Sequence, residues 1–278
     1  MRLGAHLFRP FTNAEEWAAV VKGYGYGCAY CPIGPDADDA TVASYAEAAR
    51  RHDIIIAEVG TWSNPISPDP AEAAAALDKC KRGLALADRI GARCCVNIAG
   101  ARGCKWDGPH PDNLSAATFD LIVQTVRDII DTVQPQRTFY TLETMPWVPP
   151  HTPQSYADLV AAIDRPQCAA HFDPVNMVNG VLPYFENAAM IRESFALLGP
   201  MIRSCHAKDI RLEEQLTTHL NEVRPGLGGL DYHVYLEELA QLEPDVCLMI
   251  EHLPNEEEYL LAAAHIRSVA AEVGVSFL

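Results

Sequence analysis

Met201-Ile-Arg-Ser-Cys-His-Ala-Lys-Asp209 is the stretch on which the reading of this chain turns. It predicts a short buried strand over Met201 to Cys205 that delivers His206, Lys208 and Asp209 at its C-terminal end. A strand that stops being apolar and at once offers an imidazole, an amine and a carboxylate builds a site better than it builds a core. Three other apolar runs end the same way: Phe139-Tyr-Thr-Leu-Glu143, Cys168-Ala-Ala-His-Phe-Asp173 and Val246-Cys-Leu-Met-Ile-Glu251, the last followed by His252. A buried carboxylate without a partner costs several kcal/mol. Strand ends carrying Glu143, Asp173, His206 and Glu251 therefore point to one shared cation. Taken singly, each reads as an ordinary polar strand end; the argument lies in the set.

Outward from these four, the chain reads as strands alternating with helices. Strands are expected at Leu3–Leu7, Gly27–Cys31, Asp53–Val59 and Cys94–Ile98, before the four already quoted. Asn13 with Glu16 opens a helix through Lys22. Further helices are expected over Asp39–His52, Pro70–Ile90 (stopped at Gly91), Leu114–Val133, Gln154–Ile163, Glu186–Leu198, Tyr232–Leu242 and Glu256–Val273. Ala101–Asn113 reads as a polar loop, and the segment after His206 as a Gly-rich one. The strands are continuous apolar runs, as in a parallel sheet buried on both faces. Glu143, Asp173, His206 and Glu251 are 30, 33 and 45 positions apart, about one βα unit each. Eight such units close into a single (β/α)8 barrel over residues 1–278, with the strand ends converging on one mouth.

The chain of 278 residues carries a net charge of −16, which opposes nucleic-acid backbones and anionic membranes as partners. No apolar run reaches the roughly 18 residues of a membrane span. The N-terminus lacks a signal-peptide pattern, and nine scattered cysteines suit reduced thiols in the cytoplasm. Cys28 and Cys31 match C-x-x-C, but residues three apart on a strand face opposite sides, so packing is expected there.

These residues resemble the xylose-isomerase-like TIM barrels, the sugar phosphate isomerase/epimerase family, over nearly the whole chain. The resemblance is carried by Arg89-Ile-Gly-Ala, Glu143, Phe172-Asp-Pro-Val-Asn176, His206-Ala-Lys-Asp209, Pro225-Gly-Leu-Gly-Gly-Leu-Asp231 and Ile250-Glu251. It implies that Glu143, Asp173, His206 and Glu251 bind one divalent metal and that Glu143 and Glu251 are a proton-transfer pair. One departure is Asn176, where many members have His; it puts the epimerase subgroup in question. Endonuclease IV shares the fold with extra histidine ligands after the third and fourth strands, where this chain reads Gly60-Thr-Trp-Ser-Asn64 and Val96-Asn-Ile-Ala-Gly100; that branch is set aside.

A site of three carboxylates and one imidazole suits Mn²⁺, with Mg²⁺, Co²⁺ or Zn²⁺ as alternatives. Such an ion polarises a carbonyl and stabilises the enediolate left when the adjacent carbon loses its proton. The expectation is thus a metal-dependent sugar isomerase or epimerase. The alternatives are a lyase or dehydratase acting by β-elimination on an inosose-like or 3-keto sugar, and a non-catalytic sugar-binding barrel. The expected partner is a small sugar or keto-sugar, and homo-oligomerisation is left open. Lys208, Asp209, Trp106, Trp147, Asn176, His252 and His6 are expected at the substrate, against the plainer reading of each as an ion pair or packed ring. His171 and Glu58 read as a core histidine and an earlier strand end, and Gly226, Gly228 and Gly229 as a flexible lid.

Overall fold

A computed structural model describes residues 1–278. In chain order its elements are β1 (Arg2–Ala5), α1 (Ala14–Gly23), β2 (Cys28–Tyr30), α2 (Asp39–Arg51), β3 (Ile55–Gly60), α3 (Pro70–Ile90), β4 (Cys94–Asn97), α4 (Ala116–Val133), β5 (Phe139–Glu143), α5 (Pro153–Ile163), β6 (Cys168–Phe172), α6 (Pro174–Met177), α7 (Val181–Phe185), α8 (Asn187–Leu198), β7 (Ile202–Ala207), β8 (Asp209–Leu212), β9 (Leu220–Val223), α9 (Tyr232–Leu239), β10 (Cys247–Ile250) and α10 (Glu256–Glu272). Local chemistry sets the helix ends. Asn13 caps α1 by accepting from the Glu16 amide, Pro70 opens α3, and Gly91 ends it with φ 78°, the left-handed conformation that glycine adopts without penalty.

Eight parallel strands run side by side in the order β1, β10, β7, β6, β5, β4, β3, β2. The Gly27 amide then donates to the Leu3 carbonyl at 3.0 Å, bringing β2 back to β1. The result is a nearly closed (β/α)8 barrel. Gly4 is required at this seam, because a Cβ there would run into the Cys28 carbonyl oxygen. No helix is long and apolar enough to cross a membrane.

The outer face of the strands and the inner face of the helices form one large core. A separate small apolar cluster of Cys28, Ala57, Cys247 and Met249 plugs the barrel floor. Above it the interior turns polar, with Glu58, His171, Ser204 and His206 all buried. Two bulges create this layer. β3 pairs with β2 first through Ile56 and then through Glu58, skipping Ala57. β7 pairs with β6 through Ile202 and then Ser204, skipping Arg203. Strict alternation would give Glu58 the outward face of Ile56, which lies in the outer core; the extra residue turns it inward.

One sequence expectation changes: the segment after His206 is not simply a loop, because β8 and β9 form an antiparallel hairpin. The Cys28–Cys31 pair is unbridged, as expected, like every cysteine in the chain.

Candidate metal centre and its cavity

Each of the four strand-end residues reaches the mouth for a local reason. Glu143 is the last residue of β5, and Glu251 directly follows β10. His206 sits in β7, on the same face as Ser204 and Lys208. Asp173 follows β6 and caps α6, its Oδ1 accepting from the Val175 amide at 2.9 Å and the Asn176 amide at 3.3 Å. Ligand-capable atoms of Glu143, Asp173, His206 and Glu251 all lie within 4.8 Å of one another. His206 Nδ1 is 3.2 Å from Glu143 Oε1, 2.9 Å from Glu251 Oε1 and 3.8 Å from Asp173 Oδ2.

Lys208 enters the same cluster. Its Nζ stands 2.7 Å from Asp173 Oδ2, 2.7 Å from Glu251 Oε1 and 3.6 Å from Glu143 Oε1. Asp173 Oδ2 and Glu251 Oε1 nevertheless make no hydrogen bond of acceptable geometry; the lysine contacts are charge contacts. Two buried carboxylate oxygens without a hydrogen bond, facing one imidazole nitrogen, are what a divalent ion needs. Three carboxylates against one ammonium leave a charge of two to be matched, which a divalent cation supplies. The residues present therefore fit such an ion.

The electrostatics follow from burial opposed by charge. Burial pushes the Glu143 carboxyl up, and His206 and Lys208 only partly offset it. For Glu251 burial is overcome by His206 and Lys208, which hold it at about 2. For Asp173 burial is overcome by Lys208 and His206, leaving it well below the usual carboxylate range. Burial works against charge on His206 and Lys208, yet the carboxylates raise both well above their ordinary values. A divalent ion held here would take the place of the proton on His206 Nδ1.

Beneath the cluster, Glu58 accepts from three sides. His206 Nε2 lies 3.2 Å from its Oε1, His171 Nε2 2.9 Å from Oε2, and the Ser204 hydroxyl donates to Oε2 at 3.0 Å. The two imidazoles cross edge-to-face at 4.2 Å. Burial would raise the Glu58 carboxyl, but His171 and His206 hold it well below its usual range.

The centre forms the floor of a cavity of about 770 Å³ lined by Trp62, Trp106, Trp147, Tyr30 and Tyr259 among others, a size typical of small-molecule sites. His6, Asn176, Lys208 and His252 also line it. Asn176 Nδ2 donates to Glu143 Oε1 at 3.0 Å, so the residue that departs from the family pattern orients the first carboxylate. Trp147 is tethered by its Nε1–H to the Asp107 carbonyl at 2.9 Å.

Asp209 is different. It does not line the cavity, and it forms no ion pair with Lys208. Its Oδ1 accepts from the Ile210 and Leu230 amides at 2.8 and 2.9 Å, and its Oδ2 from the Gly226 and Gly228 amides at 2.9 and 3.0 Å. A Cβ on Gly228 would strike this carboxylate. The glycine loop expected as a flexible lid is thus pinned by a buried anion. Asp209→Ala is expected to destabilise the protein by on the order of 3 kcal/mol, since buried amides lose their acceptor; urea unfolding measures it, and an unchanged midpoint would refute the clasp.

Glu222, on β9, is a cavity residue that sequence reasoning missed. It reaches across the mouth to His252 Nδ1 at 3.1 Å and lies 3.8 Å from Lys208 Nζ. The hydrogen bond to Glu222 raises His252 above its ordinary value. A raised imidazole contributes below its unfolded value of about 6.5 and stops contributing as pH climbs through the folded one. Amide protection of β8 and β9 is therefore expected to be higher at pH 6 than at pH 9. The effect is small, because His252 is 60% exposed, and equal protection factors would count against the latch.

No curated protein matches this sequence. Solved structures do. D-psicose 3-epimerase from Clostridium cellulolyticum superposes with a TM-score of 0.69 at 14% identity, covering 99% of this chain and 100% of that one. The probable 3-DHS dehydratase AsbF from Bacillus anthracis gives 0.69 at 16%, covering 94% and 95%. Endonuclease IV from Thermus thermophilus gives 0.74 at 12%, covering 98% and 100%. At such identities these likenesses are of fold. The family model described as xylose isomerase-like TIM barrel matches residues 18–269, and the chain belongs to that family.

Proposed function

We propose that this protein is a divalent-metal-dependent sugar isomerase or epimerase that moves a proton at the carbon next to a carbonyl. The observation that carries the reading is the convergence of Glu143, Asp173, His206 and Glu251, with two buried carboxylate oxygens that make no hydrogen bond, at the floor of an aromatic-walled cavity. These four residues would hold the ion, with Mn²⁺ the first choice for a mostly oxygen donor set and Mg²⁺, Co²⁺ or Zn²⁺ the alternatives. The bound ion supplies Lewis acidity to the substrate carbonyl. Glu143 and Glu251 exchange the proton, one removing it and one returning it. Lys208 and His252 donate to substrate oxygens, Asn176 keeps Glu143 turned inward, and Trp62, Trp106 and Trp147 offer faces to a sugar ring. His6, at the cavity wall, completes the polar rim. A net charge of −16 works against a nucleic-acid substrate, so the likeness to endonuclease IV is read as one of fold.

A second reading is β-elimination on an inosose-like or 3-keto sugar. It is favoured by Lys208 and His252 standing together, 3.5 Å apart, at the cavity side of the cluster, where an acid could meet a leaving oxygen. The test is metal analysis of the purified protein, followed by incubation with keto-sugars, inososes and 3-keto glycosides in D₂O. Stoichiometric metal and deuterium incorporation support proton abstraction. A chain that binds no divalent ion would return the barrel to the non-catalytic sugar-binding reading.

A further inference from the structure

We propose that Glu58 is the positioning residue of the metal centre: it holds His206 with a proton on Nε2 so that Nδ1 is left bare for the ion. The inference rests on the metal reading above and concerns a residue outside the four-residue set. Three observations carry it. Glu58 is 1% exposed and belongs to β3, across the barrel interior from His206. It faces inward only because Ala57 is bulged out of the β2–β3 pairing, and a bulge beside a site re-aims a side chain. Its two oxygens meet three groups that can donate: His206 Nε2, His171 Nε2 and the Ser204 hydroxyl. The facing bulge at Arg203 turns Ser204 to the same carboxylate.

A carboxylate only accepts, so it selects the Nε2–H form of both rings. In His206 that form leaves a lone pair on Nδ1, the atom that faces Glu143, Asp173 and Glu251. Ligating histidines are commonly oriented in this way by an acceptor on their other nitrogen, and losing that acceptor costs about 10–100-fold in metal affinity. His171 has a separate part. Its Nδ1 has no partner, so a donor placed at position 58 would let the ring shift its proton from Nε2 to Nδ1 without breaking another hydrogen bond.

That freedom shapes the test. Glu58→Leu fills similar space and removes every acceptor. Glu58→Gln keeps one acceptor oxygen for His206, while its amide N–H can donate to His171 Nε2 once that ring moves its proton to Nδ1. Zn²⁺ binding to the wild type and both variants is measured by calorimetry, with folding checked by circular dichroism. The leucine variant is expected to bind Zn²⁺ about 10–100-fold more weakly, and the glutamine variant to recover part of the loss. Independently of any variant, ¹⁵N-histidine NMR of the Zn²⁺-loaded wild type is expected to show His206 protonated at Nε2. Equal affinity in the leucine variant, or His206 protonated at Nδ1, overturns the proposal while leaving the metal reading intact. So does a second Zn²⁺ per chain that disappears in His171→Ala, which would make Glu58 a ligand. A wild type that binds no divalent ion overturns both.

Discussion

Asp173→Asn is expected to abolish divalent-ion binding at the proposed centre while leaving the protein folded. The two oxygens of Asp173 do different work. Oδ1 caps α6 through the Val175 and Asn176 amides, at 2.9 and 3.3 Å. Oδ2 has no hydrogen bond and faces the metal centre. Asparagine can keep its carbonyl oxygen on the cap, which alanine cannot, and so avoids the cost of about 1 kcal/mol that an uncapped helix incurs. What it loses is the anionic oxygen at the centre, replaced by an N–H₂ that cannot ligate. Lys208 loses one ion-pair partner but keeps Glu251 at 2.7 Å, so no buried ammonium is stranded. Loss of an outer acceptor typically weakens a metal site about 10–100-fold; loss of a ligand is expected to exceed that, and turnover falls with the metal. Metal content after gel filtration and thermal unfolding of the same sample decide the matter. Full metal content in the asparagine variant would remove Asp173 from the ligand set.

The contrast between Asp173 and Asp209 shows what could be read in the sequence. The four residues that the structure brings together stand where apolar strands end, and a barrel sends all such ends to one mouth. Period and spacing therefore sufficed for the barrel and for the meeting of these four residues. Asp209 follows the same rule on paper, three residues past His206, yet its carboxylate turns to four backbone amides of the glycine loop and its approach. Bonds from a side chain to distant backbone leave no periodic trace. Glu58 was read as an earlier strand end, and its contact with His206 was hidden for another reason. It lies inside an apolar run, and alternation gives it the outward face until one bulge reverses it. Glu222 was hidden because β8 and β9 are only four residues each and half polar, with charged residues between them, and so resemble a loop.

The reaction itself is separated by Glu143→Gln together with the mass of the product. Burial raises the Glu143 carboxyl, whereas Glu251 is held at about 2. Two carboxyls of one site whose environments push them apart suit a division of labour in proton transfer. Glu251 stays ionised through the neutral range, and Glu143 is the one better able to hold a proton between steps. Glu143→Gln keeps the size and the contact with Asn176 Nδ2 but cannot exchange a proton. It is expected to slow deuterium wash-in from D₂O by about 10²–10⁴-fold, the range of a lost general acid or base. Because Glu143 is also a proposed ligand, metal content is measured alongside, and the comparison is made at saturating Mn²⁺. Isomerisation leaves the substrate mass unchanged apart from one deuterium, because the neighbouring C–O bond survives. Elimination loses water or an aglycone, and then Lys208→Met, which removes the ammonium nearest His252, is expected to slow product formation more than wash-in. Equal wash-in by Glu143→Gln and wild type, with metal bound in both, would leave Glu143 a ligand alone and shift the proton chemistry to Glu251.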